Sequence, residues 1–464
     1  MAENYVIELD DRALALAFAG EVLSSGPSVV FDGTGAEPAG SPAWNALRRQ
    51  PTTTSTRHVR DLARDPSARR AAMLIAADLG GRLAANPPPA GARIWVTSSA
   101  QFDPRSLGAA LGILSSLNIN VEGVIDSAVA RVAALGIDRT ALALEIGLHH
   151  IAITAVQGGG QVRRRRVVTV SGGGLIELYE AWLDLISSAM VKRTRFDPLH
   201  EGVTEQQLFE SLPQIARTAT ETGSAVARVT VGNDVFETPL SRDQLAQAGE
   251  PVYREILKML HELRPAGTPI ALLVPREALD LPGLRQAFDQ FVDCELVSLT
   301  DGFAAAAVSL MDLPAASAGE SIRFLRRLPS QLVPETEALA SRELLGREGV
   351  QAPQASHVLF NGKAFSLSRD ALVVGRAPSA SHAISLSEGL AGVSRRHCTF
   401  LRVAGEVVLV DHSTFGTFVN GERVSERVRV HAGDSVRLGE PGVELALIAV
   451  GDSAGSVHGT PPVR

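Results

Sequence analysis

Hydrophobic and polar positions follow two rhythms along this chain, and the rhythm changes near residue 315. Upstream, short β-rich runs alternate with longer helical patterns. YVIELD (5–10) and ALALAFAG (13–20) predict a strand pair, and ARIWVTSS (92–99) a strand that leads into the helix-like DPRSLGAALGILSSL (103–117). NINVEGVID (118–126) reads as a strand before the helix SAVARVAALG (127–136). ALALEIGLHHIAITAV (141–156) and VRRRRVVTVSGG (162–173) read as strands, followed by the helix GLIELYEAWLDLISSAM (174–190). AVARVTVGNDVFETPL (225–240) predicts a hairpin around Gly232-Asn233, and 241–263 a capped amphipathic helix. This alternation predicts a layered α/β domain over residues 1–314.

Downstream of a Pro-, Ala- and Ser-rich stretch at 315–355, short strands follow one another between turn signals. The stretch itself reads as a linker with one short helix around Glu335–Leu345. Asn361-Gly362 and Asn420-Gly421 are hairpin signals, and the strand spacing over 356–450 predicts an all-β sandwich whose loops gather at one end. Residues 451–464 read as a flexible tail.

Composition narrows the function classes. Hydrophobic residues make up 45% and charged residues 20%, as in folded globular chains, and the 464 residues allow about three domains. A net charge of −7 gives no basic field for nucleic acid, so an anion site would have to be local. Cys294 and Cys398 form no metal or disulfide spacing, so no metal site is expected and a reducing compartment fits. MAENYVIELDD is acidic where a secretory leader would be basic, and no apolar run is long enough to span a bilayer. The expectation is a cytoplasmic protein with no membrane insertion. Lysine occurs only at 192, 258 and 363, so the first 191 residues hold none to contact a phosphate.

Four blocks then carry chemistry: Gly375-Arg376, SRRH at 394–397, DHSTFGT at 411–417 and VNG at 419–421. A phosphate needs a guanidinium for charge-assisted hydrogen bonds plus hydroxyl and amide donors for its remaining oxygens. Arg376, Ser394, Arg395 and Thr414 supply that set. In order and spacing the blocks resemble a forkhead-associated (FHA) domain, a sandwich that binds phosphothreonine peptides. The resemblance implies that Ser394 and Thr414 donate to the phosphate, Arg395 pairs with it, and Arg376 braces loop and peptide. Gly375, His397, Asp411, Gly416 and Asn420 would support the loops. Phe415 stands where the family often has an asparagine that bonds the peptide backbone, which bears on peptide selectivity. The implied partner is a phosphothreonine-containing protein, such as a Ser/Thr kinase substrate. PTTTSTR (51–57) is a threonine-rich segment that a kinase could modify, but an ordinary polar loop is the better reading.

The first 314 residues resemble the ATPase domain of the 70-kDa heat-shock chaperones, within the actin-like (ribonuclease H-like) fold. The likeness rests on 27–47, 94–138 and 267–288 in the family's order. Its phosphate-binding motifs are eroded. ELDDR (8–12) replaces the first phosphate hairpin, so Glu8, Asp10 and Asp11 would face a triphosphate. EIGLHH (145–150) replaces the second, with Glu145 at its head and only Gly147 kept among the glycines that let amides approach a phosphate. Ser127 stands where the family has a catalytic glutamate. Val274 and Pro275 replace the glycine pair of the adenosine motif, while SGGG (171–174) is retained as one glycine-rich turn. RRRR (163–166) reads as a solvated hairpin, and His149 and His150 are assigned no chemistry. The resemblance therefore implies a pseudo-ATPase scaffold with no cofactor and no catalytic residue, beside a phosphopeptide reader. The alternative is an ATPase regulated through its FHA domain, which would need Mg to offset Glu8, Asp10 and Asp11. A filament or assembly role in the manner of actin homologues is a third reading, which nothing in the sequence selects.

Overall fold

In the computed structural model the described residues are 3–32, 39–264, 268–291, 293–314, 322–345, 354–367, 370–386, 390, 392–403, 405–439 and 442–449. The expected tail at 451–464 lies outside them, as do 315–321 and 346–353 of the expected linker. Two units emerge, with residues up to Leu344 forming most of the first and residues from Leu345 most of the second.

The first unit is built on two sheets that repeat one topology. In the first sheet β1 (Asn4–Leu9), β2 (Leu14–Phe18) and β3 (Glu21–Gly26) form an antiparallel meander, and β4 (Arg93–Ser98) and β5 (Val121–Asp126) continue parallel on the free side of β1. In the second, β6 (Thr140–Ile146), β7 (His150–Gln157) and β8 (Gln161–Ser171) form the meander, and β9 (Ile270–Pro275) and β10 (Cys294–Leu299) run parallel beside β6. The run 141–156 thus holds two strands, β6 and β7, joined by a turn at 147–149.

Each fifth strand leads into a short helix, α1 (Ser127–Ala134) after β5 and α2 (Phe303–Leu310) after β10. Alanine dominates both, and the two share one buried core with Val6, Val297 and Leu273. Small side chains let the helices approach closely between the sheets. Outside this double centre, α3 (Leu175–Thr194), α4 (Gly202–Thr222) and α5 (Arg242–Leu263) surround the hairpin 224–231/234–241, whose turn is the expected Gly232-Asn233. Sequence patterning gave no helix at 202–222. Pro213 inside it removes a ladder donor, and Leu208, Phe209, Leu212 and Ala219 still bury one face.

The stretch 322–345 is not a linker. Arg323–Leu325 adds parallel to β5, Arg327–Pro329 adds antiparallel to β8, and Ala340–Leu345 neighbours β10 at the far edge of the second sheet. In place of the helix expected at Glu335–Leu345 there is a 3₁₀ turn over Pro334–Leu339 and then that strand. Polar, Pro-rich composition hides these strands because each is short and lies at a sheet edge, where one apolar residue suffices; Leu328 and Val333 are buried in the shared core. Arg163–Arg166 are also more than a solvated hairpin, since the Arg164 guanidinium donates to buried Asp126 at 2.8 Å.

The second unit holds two sheets over one core. The strands His357–Phe360, Lys363–Ser366, Thr417–Val419, Glu422–Arg423, Ser435–Leu438 and Val443–Ile448 form one; Leu372–Gly375, Ala383–Ser385, Cys398–Val403, Glu406–Asp411 and Arg427–Val430 form the other. Val358, Leu372, Phe400, Leu409, Val436 and Leu447 are among the side chains that fill the space between. At both Asn-Gly turns the residues take positive φ (46° and 73°; 51° and 88°), as the tight hairpin requires.

A chain ending at Leu345 is expected to unfold at a higher urea midpoint than one ending at Pro314, which loses the edge strands and the burial of Leu328 and Val333. Equal midpoints would show that 322–345 adds nothing to the first unit.

Candidate functional site

Three loops at one end of the second unit's sandwich converge. The Arg376 amide donates to the Ser394 carbonyl at 3.0 Å and the Ala377 amide to the Arg395 carbonyl at 3.0 Å, lacing the first loop to the second. Gly375 permits this approach, because a Cβ there would fall on the Arg395 carbonyl. The Thr414 amide donates to the Ser394 Oγ at 3.1 Å, lacing the second loop to the third. Arg376, Ser394, Arg395 and Thr414 are thereby brought together.

His397 is the fully buried post beneath them. Its Nδ1 accepts from the Ser394 amide at 3.0 Å, which leaves the proton on Nε2 to donate to the Gly416 carbonyl at 3.2 Å. Burial pushes its pKa down, consistent with a neutral ring. Asp411 organises the third loop: its Oδ1 accepts from the Ser413 amide at 2.9 Å and the Thr417 hydroxyl at 2.8 Å. Burial alone would raise its pKa, but these donors outweigh it and hold the carboxylate ionised. Gly416 sits at φ 87°, and Asn420 (φ 51°) ties its turn to Asp434 through Nδ2 at 2.8 Å.

What the loops present is cationic and hydroxylic. Arg395 is exposed, and its guanidinium has neither an ion pair nor a hydrogen bond among the described residues. Arg396 is engaged, donating to the Thr399 hydroxyl at 3.3 Å. Thr414 is exposed, and Phe415 beside it is 51% exposed.

Residues 372–439 match the family model for the FHA domain. The second unit carries an FHA domain. No curated protein matches the chain. FHA domains bind phosphothreonine-containing proteins, and in this one the converging loops lie within the matched span.

The first unit's charged residues have a different arrangement. Glu8 is the penultimate residue of β1 and Glu145 of β6, equivalent places in the two repeats. Arg131, from α1, donates to Glu8 at 3.0 Å and lies 3.7 Å from Glu145. Each glutamate also accepts one backbone amide, Glu8 from Ala305 at 3.1 Å and Glu145 from Ala100 at 2.8 Å. Burial pushes the Glu8 pKa up and that of Glu145 to about 7, against the pull of Arg131.

Asp11 does not face outward either. It accepts the Leu148 amide at 3.0 Å and pairs with His150 at 3.6 Å, both side chains being buried. Asp10 accepts the Arg12 amide at 2.9 Å. The three carboxylates expected to confront a triphosphate therefore point to three different partners. Ser127 is buried, and its Oγ has no hydrogen-bond partner among the described residues. Gly147 lies so close to Asp11 and His150 that no Cβ fits.

His149 and His150, assigned no chemistry from sequence, are buried with carboxylates beside them. His149 Nδ1 lies 3.1 Å from Glu177 and its Nε2 lies 2.8 Å from the Thr56 hydroxyl, the last threonine of PTTTSTR. His150 meets Asp11 from the turn of the other sheet and His149 meets Glu177 from α3, contacts that spacing along the chain does not show. Among the described residues no group of three or more His, Cys, Asp or Glu is placed to hold a metal ion, and no helix is long and apolar enough to cross a membrane.

Arg131→Ala leaves two buried carboxylates without their cation and is expected to cost about 3–5 kcal/mol in urea unfolding of the first unit; a loss under 1 kcal/mol would mean that the glutamates are neutralised otherwise. The pH dependence is also fixed in direction. Burial lowers the His150 pKa, but Asp11 outweighs it and lifts it to about 9. Its contribution is complete below the ordinary histidine value near 6.5 and is lost as pH rises through about 9. The first unit's urea midpoint should fall across that window, and a midpoint that rises there would contradict the pairing.

Proposed function

We propose that this chain is a phosphothreonine-reading adaptor whose first unit is a non-catalytic scaffold of the actin-like fold. One observation carries the reading: the FHA loops present an exposed, unpaired Arg395 beside the Ser394 and Thr414 hydroxyls, while the corresponding charges of the first unit are paired within the chain.

Phosphothreonine carries about −1.5 to −2 charge at pH 7 and three acceptor oxygens. Arg395 supplies the charge-assisted donor, Thr414 Oγ1 a hydroxyl, and Ser394 its Oγ proton, since that oxygen already accepts the Thr414 amide. Arg376 braces the first loop through its backbone link to Ser394. Phe415 offers an exposed ring where a polar peptide clamp would otherwise stand, which favours an apolar residue following the phosphothreonine.

The actin-like reading of the first unit is supported by the repeated topology, three antiparallel strands flanked by two parallel ones, with a helix after each fifth strand packed in one centre. Its non-catalytic character is supported by Arg131, which supplies from within the chain the positive charge that a metal would otherwise bring to Glu8 and Glu145. The cytoplasm, where Ser/Thr kinases act, suits such an adaptor.

Fluorescence titration with a phosphothreonine peptide library should show saturable binding that the unphosphorylated library lacks. Arg395→Ala should weaken it roughly 10- to 150-fold, the equivalent of one charged hydrogen bond of about 1.5–3 kcal/mol. Equal affinity for phosphorylated and unphosphorylated peptides would sink the reading.

A further inference from the structure

Within the first unit, a cavity of about 300 Å³ opens beside the charged centre. Trp44, Tyr179, Leu148, Leu175 and Ala216 make its walls largely apolar. That volume and lining suit a small organic ligand, with the indole and phenol rings positioned to pack on a flat one.

Charge at the rim decides which kind. Both arginines there are already committed: Arg12 donates to Asp301 at 3.2 Å and lies 3.5 Å from Glu277, and Arg217 donates to Asp280 at 3.0 Å. Three carboxylates thus stand against two guanidiniums, and no arginine at the rim is left to meet an anion. Burial first, and then the neighbouring Asp301, push the Glu277 pKa up.

A second, smaller chamber adjoins. Arg12, Ile146, Pro275 and Asp301 line both spaces, and the smaller, of about 20 Å³, is bordered by Glu8, Asp10 and Glu145. It has room for a group about the size of one water, and at its border four carboxylates, Glu8, Asp10, Glu145 and Asp301, stand against two guanidiniums, Arg12 and Arg131. A ligand with an apolar ring and a compact positive head matches both chambers at once.

We infer that the first unit binds a small aromatic primary amine, its ring against Trp44 and Tyr179 and its ammonium directed toward Asp301 and Asp10. Phosphorylated ligands are excluded from this site by the same carboxylates. The inference stands on the first unit alone and does not depend on phosphopeptide recognition by the FHA domain.

Calorimetry on the full chain tests it with three probes that share one ring system: tryptamine, its neutral alcohol tryptophol, and the anion indoleacetate. Tryptamine should bind at least about tenfold tighter than indoleacetate at neutral pH and low salt, with tryptophol between. Ala216→Trp fills the cavity and should abolish tryptamine binding. Glu277→Gln, an isosteric change at a half-exposed side chain, should narrow the amine-over-acid preference severalfold. The inference is overturned if indoleacetate binds as well as tryptamine, if no probe binds, or if Glu277→Gln leaves the preference unchanged. Unaltered tryptamine binding by a folded Ala216→Trp chain would place the site elsewhere and overturn it equally.

Discussion

A charge taken out of water must be paired, and in this chain that constraint is met in opposite ways at the two candidate sites. Arg131 stands between Glu8 and Glu145, two glutamates at equivalent positions of a repeated sheet, and the alanine-rich helices that pack between the sheets deliver both the arginine and the Ala305 amide. Without that cation the centre would hold two buried carboxylates facing each other, a cost that burial of apolar surface elsewhere in a marginally stable domain does not readily offset. The pairing of Asp11 with His150 extends the same rule to the turn between β6 and β7.

The sandwich applies the rule in the opposite sense. The polar groups that fix its loops, buried His397 and half-buried Asp411, are satisfied by backbone and hydroxyl partners, so the loops are fixed without spending a cation. Arg395 is left at the surface with its donors available. A preorganised loop with an unspent guanidinium binds an anion at little ordering cost; a guanidinium already held by two carboxylates does not. The contrast between the open loops and the self-neutralised centre thus rests on where each arginine's partner comes from.

Much of this was legible in sequence, and the limits have physical causes. The sandwich could be read because two Asn-Gly turns and short alternating strands are local signals, and because the loop residues fall in contiguous blocks. In the first unit the pair β1–β2, helix α1 and the hairpin at Gly232-Asn233 were visible in the same way, whereas β3, β10 and α2 were not read. The edge strands at 323–345 were not, since a three-residue strand carries almost no periodicity and takes its stability from the sheet it joins. Helix 202–222 was masked by Pro213. The charge network was hidden most completely: residues 8, 131 and 145 meet only because two repeats fold face to face, so ELDDR read as repulsion when its acids in fact diverge to separate partners.

The most direct measurement of this account is calorimetric titration of Mg-ATP into the full chain. Self-neutralisation of the first unit predicts no heat of binding at millimolar nucleotide. Stoichiometric binding with a micromolar Kd would contradict it, because Arg131 and His150 would then have to yield Glu8, Glu145 and Asp11 to a metal and a triphosphate.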